Sequence, residues 1–191
     1  MRRPDGPASE RAYWVALATV AGVGARTLTR LLQHFGSLAE VFAASAADLQ
    51  RVPGVGAQTA AAITAIDLPS VEARMSAWAA SGIQTLTWQD AGYPPNLLRT
   101  PDAPPVLFVR GALLPADSRA VAVVGTGQPA RASAALAAQT GRELARRGWA
   151  VVSGLALGID AAAHRGALEG GGRTLAVLGS GVGRVYPRRN A

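Results

Sequence analysis

The chain lacks cysteine and lysine altogether, and it has no long uncharged apolar run. Without cysteine it can form neither disulfide bonds nor thiolate metal sites, which is typical of a protein in a reducing cytoplasm. No stretch of about 18 or more apolar residues is free of charge or glycine, so we expect no membrane span. The residues after Met1 are polar and lack the apolar core of an export signal. We therefore expect a cytoplasmic protein without a membrane partner.

The 19 basic residues are all arginine, and they are unevenly distributed along the 191-residue chain. Residues 1–118 hold 9 arginines and 9 acidic residues, so that part is neutral. Residues 119–191 hold 10 arginines and 3 acidic residues and carry the whole net charge of +7. A basic segment beside a neutral one favours a polyanionic partner for the basic segment, although an ordinary solvated surface would give the same composition.

Residues 9–66 are predicted to form helices. Three serines stand at positions typical of N-caps, and the second and third are followed three residues later by an acidic residue: Ser9, Ser37 and Ser45. A weak repeat places the sequence G-V-G at residues 22–24 and 54–56, each time between apolar helical stretches. The repeat resembles the helix-hairpin-helix unit, whose glycine turn lies against a nucleic-acid phosphate. A compact hairpin that needs glycine only for its tight turn is the alternative, which the low charge of these segments favours.

The segment after residue 66 is predicted to connect the helical part to a sheet. Leu68-Pro69-Ser70 is predicted to be a joint, followed by a helix that ends near Ala80 and a strand near residues 84–87. Five prolines between positions 93 and 105 predict an extended connector rather than a helix, because proline lacks the backbone N–H that a helix needs. Residues 106–109 are predicted to form an edge strand.

The C-terminal part has the β-α-β-α-β pattern of a parallel sheet. Strands are predicted at residues 121–124, 150–152 and 174–178, with the first crossover helix at residues 129–147. Continuous apolar strands are typical of a sheet covered by helices on both faces, and such a sheet binds ligands at the carboxyl ends of its strands. We therefore predict an α/β fold with two domains: a helical, helix-hairpin-helix-like domain at residues 1–66, and a parallel-sheet domain at residues 67–191.

Each of the three predicted strands runs into a short glycine-rich loop. A strand, a glycine turn and a helix N-terminus in succession present backbone N–H groups to a phosphate. Hydroxyl groups in the loops add donors, and arginines follow them, including Arg184 and Arg189. The predicted phosphate-binding residues are Gly125, Thr126, Gly127, Ser153, Gly154, Leu155, Gly158, Arg165, Arg173, Gly179, Ser180, Gly181 and Arg188.

Nucleotide-cofactor chemistry fits these loops less well. Residues 125–130 match the dinucleotide pattern G-x-G-x-x-A, but the next strand ends without the acidic residue that holds a ribose. The P-loop sequence G-x-x-x-x-G-K-[ST] is absent. No cofactor is therefore predicted.

Catalytic and metal sites are also not predicted. Asp160 and His164 are spaced to share a helix face, but two ligands do not make a metal site, and His34 belongs to the other domain. Neither Ser153 nor Ser180 lies in the G-x-S-x-G sequence of a nucleophile elbow. Asp160 is therefore predicted to be a helix N-cap, and His164 a packing or hydrogen-bonding residue.

Several segments resemble DNA-processing protein A, the DprA or Smf family. They are residues 153–168, residues 171–181, the Val-Tyr-Pro sequence from Val185 to Asn190, and upstream residues 93–97 and 104–111. The helical N-terminal part fits the SAM-like domain of the same family. The resemblance implies that residues 67–191 are part of an extended Rossmann-like domain. It also implies that the protein binds single-stranded DNA, protects incoming strands during natural transformation and loads the recombinase RecA onto them. It also implies a homodimer once the sheet is complete, and an accessory protein rather than an enzyme.

The chain departs from the family pattern in two places. Gly127 stands where the family usually has arginine, and Arg131, one turn further on, is the candidate substitute. The family continues beyond the Tyr-Pro sequence with more of the sheet, so a natural truncation or a fragment is expected. Two alternatives stay open. One is a nucleotide-processing enzyme related to phosphoribohydrolases, although their P-G-G-x-G-T-x-x-E sequence is absent. The other is an inactive interaction module whose helical domain docks a protein.

Overall fold

The computed structural model describes residues 9–184 and residue 187. The chain divides into two compact units, residues 1–111 and residues 112–191. The first unit is mainly helical and the second contains a three-stranded parallel sheet, which is the mixed α/β fold that the sequence predicts. Within the described residues, no helix is long and apolar enough to cross a membrane.

In its described residues, the first unit consists of short helices, three of which have side-chain N-caps, and one antiparallel strand pair. Its elements are α1 (Glu10–Ala18), α2 (Ala25–Phe35), α3 (Leu38–Ala43), α4 (Ala46–Leu49), α5 (Ala57–Thr64), α6 (Leu68–Ala80), β1 (Ile83–Thr87), α7 (Pro95–Leu98) and β2 (Val106–Arg110). The three predicted serine caps are confirmed. The hydroxyl oxygens of Ser9, Ser37 and Ser45 each accept a hydrogen bond from the N–H three residues further on, at 3.2 to 3.3 Å.

Within this unit, each G-V-G turn lies against the helix that follows the other turn. Gly22 and Gly54 have φ angles of +85° and +92°, a region that glycine adopts without strain. A methyl group built on Gly22 would lie 3.4 Å from Oγ1 of Thr59, and one built on Gly54 would lie 3.9 Å from Oγ1 of Thr27. Thr27 and Thr59 hold the same place in the repeat, so the two hairpins face each other with reciprocal contacts.

The core of the first unit gathers apolar side chains from its helices and from the strand pair. Its largest fully buried members are Leu17, Leu28, Leu31, Leu49 and Ile63, together with Val15, Val41 and Val52. Burial of each large side chain contributes about 1.5–3 kcal/mol. Val71 of α6 and Val106 of β2 join the same core, and the compact unit therefore extends to Gly111. As a domain boundary, the division at residue 66 stays a prediction.

Two local predictions for this segment are wrong. Leu68, Pro69 and Ser70 form the first turn of α6 rather than a joint, because the missing N–H of proline needs no partner there. The proline-rich connector is not wholly extended, since it contains the single helical turn α7, which begins at Pro95 for the same reason.

The second unit has the predicted β-α-β-α-β order. A 3-10 turn (Pro115–Ser118) precedes β3 (Ala120–Ala122), α8 (Arg131–Arg146), β4 (Ala150–Ser153), α9 (Ile159–Glu169) and β5 (Thr174–Ala176). The strands are parallel in the order β3-β4-β5, with Val121 opposite Val151 and Val152 opposite Leu175.

Helices α8 and α9 lie on the same face of this sheet. They approach so closely that a methyl group on Gly166 would overlap the carbonyl oxygen of Ala138. Ala145 of α8 and Ala163 of α9 share one core with Val151 of β4. Because the strands follow one another in sequence order, both right-handed crossovers run in one direction and leave their helices on one side.

The prediction that helices cover both faces of the sheet is therefore wrong for the described residues, in which α8 and α9 cover one face. Side chains alternate between the faces, so Val124 and Val177 point away from the helices. These two side chains are 69% and 67% exposed. The parallel order was predictable from the apolar strands, but the side on which each helix packs depends on the strand order.

Candidate nucleic-acid interface

The three glycine-rich loops lie together at the carboxyl edge of the sheet. They comprise residues 123–130 after β3, residues 154–158 after β4 and residues 177–183 after β5. The Val123 N–H donates to the Val152 carbonyl at 2.9 Å, and the Val177 N–H donates to the Ser153 carbonyl at 2.9 Å. These bonds continue the ladder beyond the strands, so the loops leave the sheet side by side.

The Asp160 carboxylate fastens two of the loops to each other. It accepts hydrogen bonds from the N–H groups of Gly154 at 3.0 Å, Gly125 at 3.3 Å and Ala156 at 3.4 Å. Asp160 is only 6% exposed and lies in the first turn of α9, where the helix dipole favours a negative charge. The N-cap of α9 is Gly158, so the prediction that Asp160 is the N-cap is wrong. Donors predicted to face a phosphate therefore bind this carboxylate.

Ser153 and the loop glycines hold the loops in contact with each other. The Ser153 hydroxyl is 2% exposed and donates to the Val123 carbonyl at 2.6 Å. A methyl group on Gly125 would lie 2.7 Å from Cγ1 of Ile159, and one on Gly154 would lie 2.8 Å from Oδ2 of Asp160. At Gly158, with φ +79°, an added methyl group would overlap the carbonyl oxygen of Thr126. Glycine fits these positions because a Cβ atom would meet the Ile159 side chain, the Asp160 carboxylate and the Thr126 backbone, respectively.

Other loop residues face solvent. Thr126, Gly127, Gly179, Ser180 and Gly181 are exposed. The Thr126 hydroxyl oxygen accepts a hydrogen bond from the Gln128 N–H at 3.2 Å, and the Ser180 hydroxyl donates to the Arg184 carbonyl at 3.0 Å. Leu155 is half-buried at φ +58°, a left-handed conformation that costs a non-glycine residue roughly 1 kcal/mol or more.

Arg131, Arg165 and Arg184 are exposed, and none of them forms an ion pair with any residue that the structure describes. Arg131 is the first residue of α8 and follows the loop after β3. Arg184 follows the loop after β5, and Arg165 lies further along α9. Arg188 and Arg189 lie outside the described residues.

Arg173 does not join the loops. It immediately precedes β5 and so lies at the amino edge of the sheet, opposite the glycine-rich loops. Its guanidinium group donates two hydrogen bonds to Asp117, at 2.7 and 2.9 Å, and one to the Ala112 carbonyl at 3.0 Å. The bond from Arg173 lowers the pKa of Asp117, against the opposing effect of burial. Arg173 therefore anchors the first residues of the second unit, from Ala112 to Asp117, through hydrogen bonds.

His164 belongs to α9 and is buried, with 6% of its surface exposed. Its Nδ1 lies 2.6 Å from the Thr174 hydroxyl, which itself donates to the Val151 carbonyl at 2.8 Å. The hydroxyl must therefore accept from Nδ1–H, and Nε2 has no partner among the described residues. Burial lowers the pKa of His164, while the charge of Asp160 opposes that shift.

Two family models match this chain and show which protein family it belongs to. Residues 84–191 match the model of DNA recombination-mediator protein A, and residues 15–65 match that of the SAM-like helix-hairpin-helix tandem. The chain belongs to the recombination-mediator protein A family. The reciprocal contacts between the two hairpins agree with this tandem.

Relatives within the recombination-mediator family extend over most of this chain. Protein Smf of Synechocystis is 37% identical over 95% of the chain and 47% of its own length. DNA processing protein DprA of Bacillus subtilis is 34% identical over 64% of the chain and 41% of its own length. The X-ray structure of DprA from Streptococcus pneumoniae is similar with a TM-score of 0.73 and 26% identity, over 95% of this chain and 61% of that one. The chain thus spans about half the length of these curated relatives.

The carboxyl edge of the parallel sheet carries exposed hydrogen-bond donors and cationic side chains. Within residues 9–184 and 187, no group of three or more histidine, aspartate or glutamate side chains is placed to hold a metal ion. The exposed Thr126 and Ser180 hydroxyls and the arginines without ion pairs are groups that contact phosphates in nucleic-acid complexes.

Proposed function

We propose that this chain binds single-stranded DNA along the carboxyl edge of its parallel sheet. The observation that carries the proposal is the position of Arg131 and Arg184. Both are exposed, both follow glycine-rich loops of that edge, and neither is neutralised by an acidic side chain among the described residues. Cations spaced along exposed loops suit the consecutive phosphates of one strand.

The glycine-rich loops contribute shape and a few donors to this proposed site. The Thr126 hydroxyl oxygen accepts from the Gln128 N–H and so keeps its own proton for a phosphate oxygen. The N–H groups of Gly125 and Gly154 serve Asp160 instead, and they keep the loops in place. Arg131 supplies the cation that Gly127 cannot. Because the contacts go to phosphates, binding should be independent of base sequence and should weaken steeply with salt.

The proposed biological role follows the family. We infer that the bound strand is DNA entering the cell during natural transformation, that the protein protects this strand, and that it loads RecA onto it. With a complete sheet, the working form is a cytoplasmic homodimer, and the protein catalyses no reaction. The names DNA processing protein and DNA recombination-mediator protein, carried by the relatives and the family, support a role on DNA.

Fluorescence anisotropy tests the binding directly. A labelled oligothymidylate and a mixed-sequence strand should bind equally well, more tightly than a duplex of the same length, and less tightly as salt rises. Equal affinity for the duplex, or affinity independent of salt, would overturn the proposal. Light scattering reports the dimer, and capture of purified RecA reports the partner. Release of free base from a nucleoside monophosphate would instead identify an enzyme.

A further inference from the structure

A groove in the first unit lies between α2 and the segment that follows α7. Its volume is about 490 Å³, which falls in the range of small-ligand sites. One wall is formed by Arg26, Thr29 and Arg30, which share a face of α2, and the other by Trp88, Leu98 and Pro101. We call these six residues the α2 groove. Its walls differ in chemistry, since one is cationic and hydroxylic and the other is aromatic and apolar.

The two guanidinium groups of the cationic wall are held differently. Nη1 of Arg30 donates to the Pro53 carbonyl at 3.0 Å, which fixes the side chain while its other donors remain. Arg26 pairs with Asp102 at 3.5 Å, and both side chains are about three-quarters exposed, at 74% and 76%. Such an exposed pair is weak, so a phosphate can displace the Asp102 carboxylate from Arg26.

The aromatic wall is rigid. The Trp88 indole N–H donates to the Pro104 carbonyl at 3.0 Å, and its ring meets that of Trp14 edge-on at 5.6 Å between centroids. Tyr93 donates to the same Pro104 carbonyl at 2.7 Å. Leu98, which also lines the groove, is 46% exposed and so leaves part of its apolar surface open to a ligand. A flat, fixed apolar surface opposite two guanidinium groups matches a base joined to a phosphate.

We propose that the α2 groove binds one nucleotide unit of a DNA single strand. The phosphate lies between Arg26 and Arg30, and the base lies against Trp88, Leu98 and Pro101. An acidic peptide would use the two cations but would leave the aromatic wall unused. The site belongs to the first unit and does not depend on the sheet edge, so the two DNA sites can fail separately.

Photo-crosslinking with a short oligothymidylate that carries 5-iodouracil tests the groove in the full chain. The expected adduct is on Trp88, located by mass spectrometry of the peptide that runs from residue 75 to residue 99. The double variant Arg26→Ala/Arg30→Ala should lower the adduct yield about fivefold or more, since it removes the phosphate contacts. Arg51→Ala is the matched control, because Arg51 is an exposed arginine of the same unit that pairs with Asp48 outside the groove.

Two further variants test nucleotide binding in the α2 groove even if the double variant folds poorly. Asp102→Asn should raise the adduct yield about twofold, because it removes the competing carboxylate without removing a groove residue. The variant Arg131→Ala/Arg184→Ala should leave the Trp88 adduct intact, even if it abolishes binding at the sheet edge. Adducts confined to residues 112–191, an equal loss in Arg51→Ala, or equal displacement of the oligonucleotide by polyglutamate of the same charge would overturn the inference.

Discussion

The Asp160 carboxylate accepts a hydrogen bond of 3.0 Å from the Gly154 N–H, so a side chain of α9 occupies the place that a glycine loop offers to an anion. The same carboxylate reaches the loops after β3 and β4 at once. The protein thereby supplies its own negative charge to order the sheet edge. In the proposed DNA site, a strand would therefore contact the outward hydroxyls and arginines rather than these N–H groups.

Asp160→Asn should loosen the two loops. An asparagine amide has one oxygen, and the NH₂ group that replaces the other would face a loop N–H donor, at a cost of about 1–3 kcal/mol. Hydrogen exchange should accelerate in the peptides that cover residues 123–127 and 153–158. Asp67→Asn is the control, because Asp67 is exposed and makes no side-chain cap bond. Unchanged exchange in both variants would show that Asp160 does not order the edge.

Arg173→Ala should destabilise the second unit without weakening DNA binding. It removes two charge-assisted bonds to Asp117, whose side chain is 8% exposed, although the 40% exposure of Arg173 keeps the loss to about 1–2 kcal/mol. The pKa of Asp117 is lowered from 3.8, so this stabilisation is complete above that pH and is lost as the pH falls through the lowered value. Denaturation at neutral and acidic pH measures the loss. A weaker affinity for oligothymidylate would place Arg173 at the DNA after all.

His164 should make the second unit sensitive to mild acid. Its pKa is lowered from 6.5 by burial, so the folded state binds fewer protons than the unfolded chain just below that pH. Stability is therefore complete above pH 6.5 and falls as the pH drops below it. Unfolding measured between about pH 7.5 and about pH 5.5 should show this slope in the wild type and in His34→Gln, since His34 is exposed. The slope should vanish in His164→Gln, and its persistence there would assign it to another group.

Gly166→Ala should strongly destabilise the contact between α8 and α9. The added methyl group would overlap the Ala138 backbone, which cannot move without displacing α8, at a cost of about 3 kcal/mol or more. Gly179→Ala is the control, because its added methyl group would meet no atom within 4 Å beyond its chain neighbours, and its effect should stay within about 0.5 kcal/mol. Thermal unfolding of the two variants distinguishes them. Equal melting temperatures would contradict the close helix packing.

Local patterns predicted most of the fold. Ser9, Ser37 and Ser45 cap helices as expected, because an N-cap depends on residues only three positions apart. The alternation of apolar strands with predicted helices gave the parallel arrangement in the same way. The packing of both helices on one sheet face was missed, since strand order is set by contacts between residues distant in sequence. Pro69 and Pro95 were misjudged because proline both ends helices and begins them.

The site was predictable only in part. The position of the three loops followed from the strand direction, but Asp160 was missed as their common acceptor because its partners lie up to 35 residues away. Arg173 carried a usable signal, since a residue that precedes a parallel strand must lie at the opposite edge from the loops that follow such strands. The sequence carries no signal for the α2 groove, because Arg26 and Trp88 come to line the same groove only through the packing of the first unit.

The salt dependence of binding to oligothymidylate tests the central claim most directly. Arg131→Ala and Arg184→Ala should each weaken binding and reduce the slope of log affinity against log salt by about 0.7, the value of one phosphate contact to a single strand. Arg147→Ala should leave the slope unchanged, because Arg147 is an exposed arginine at the opposite end of α8. Equal slopes in all three variants and the wild type would contradict a DNA site at the carboxyl edge of the sheet.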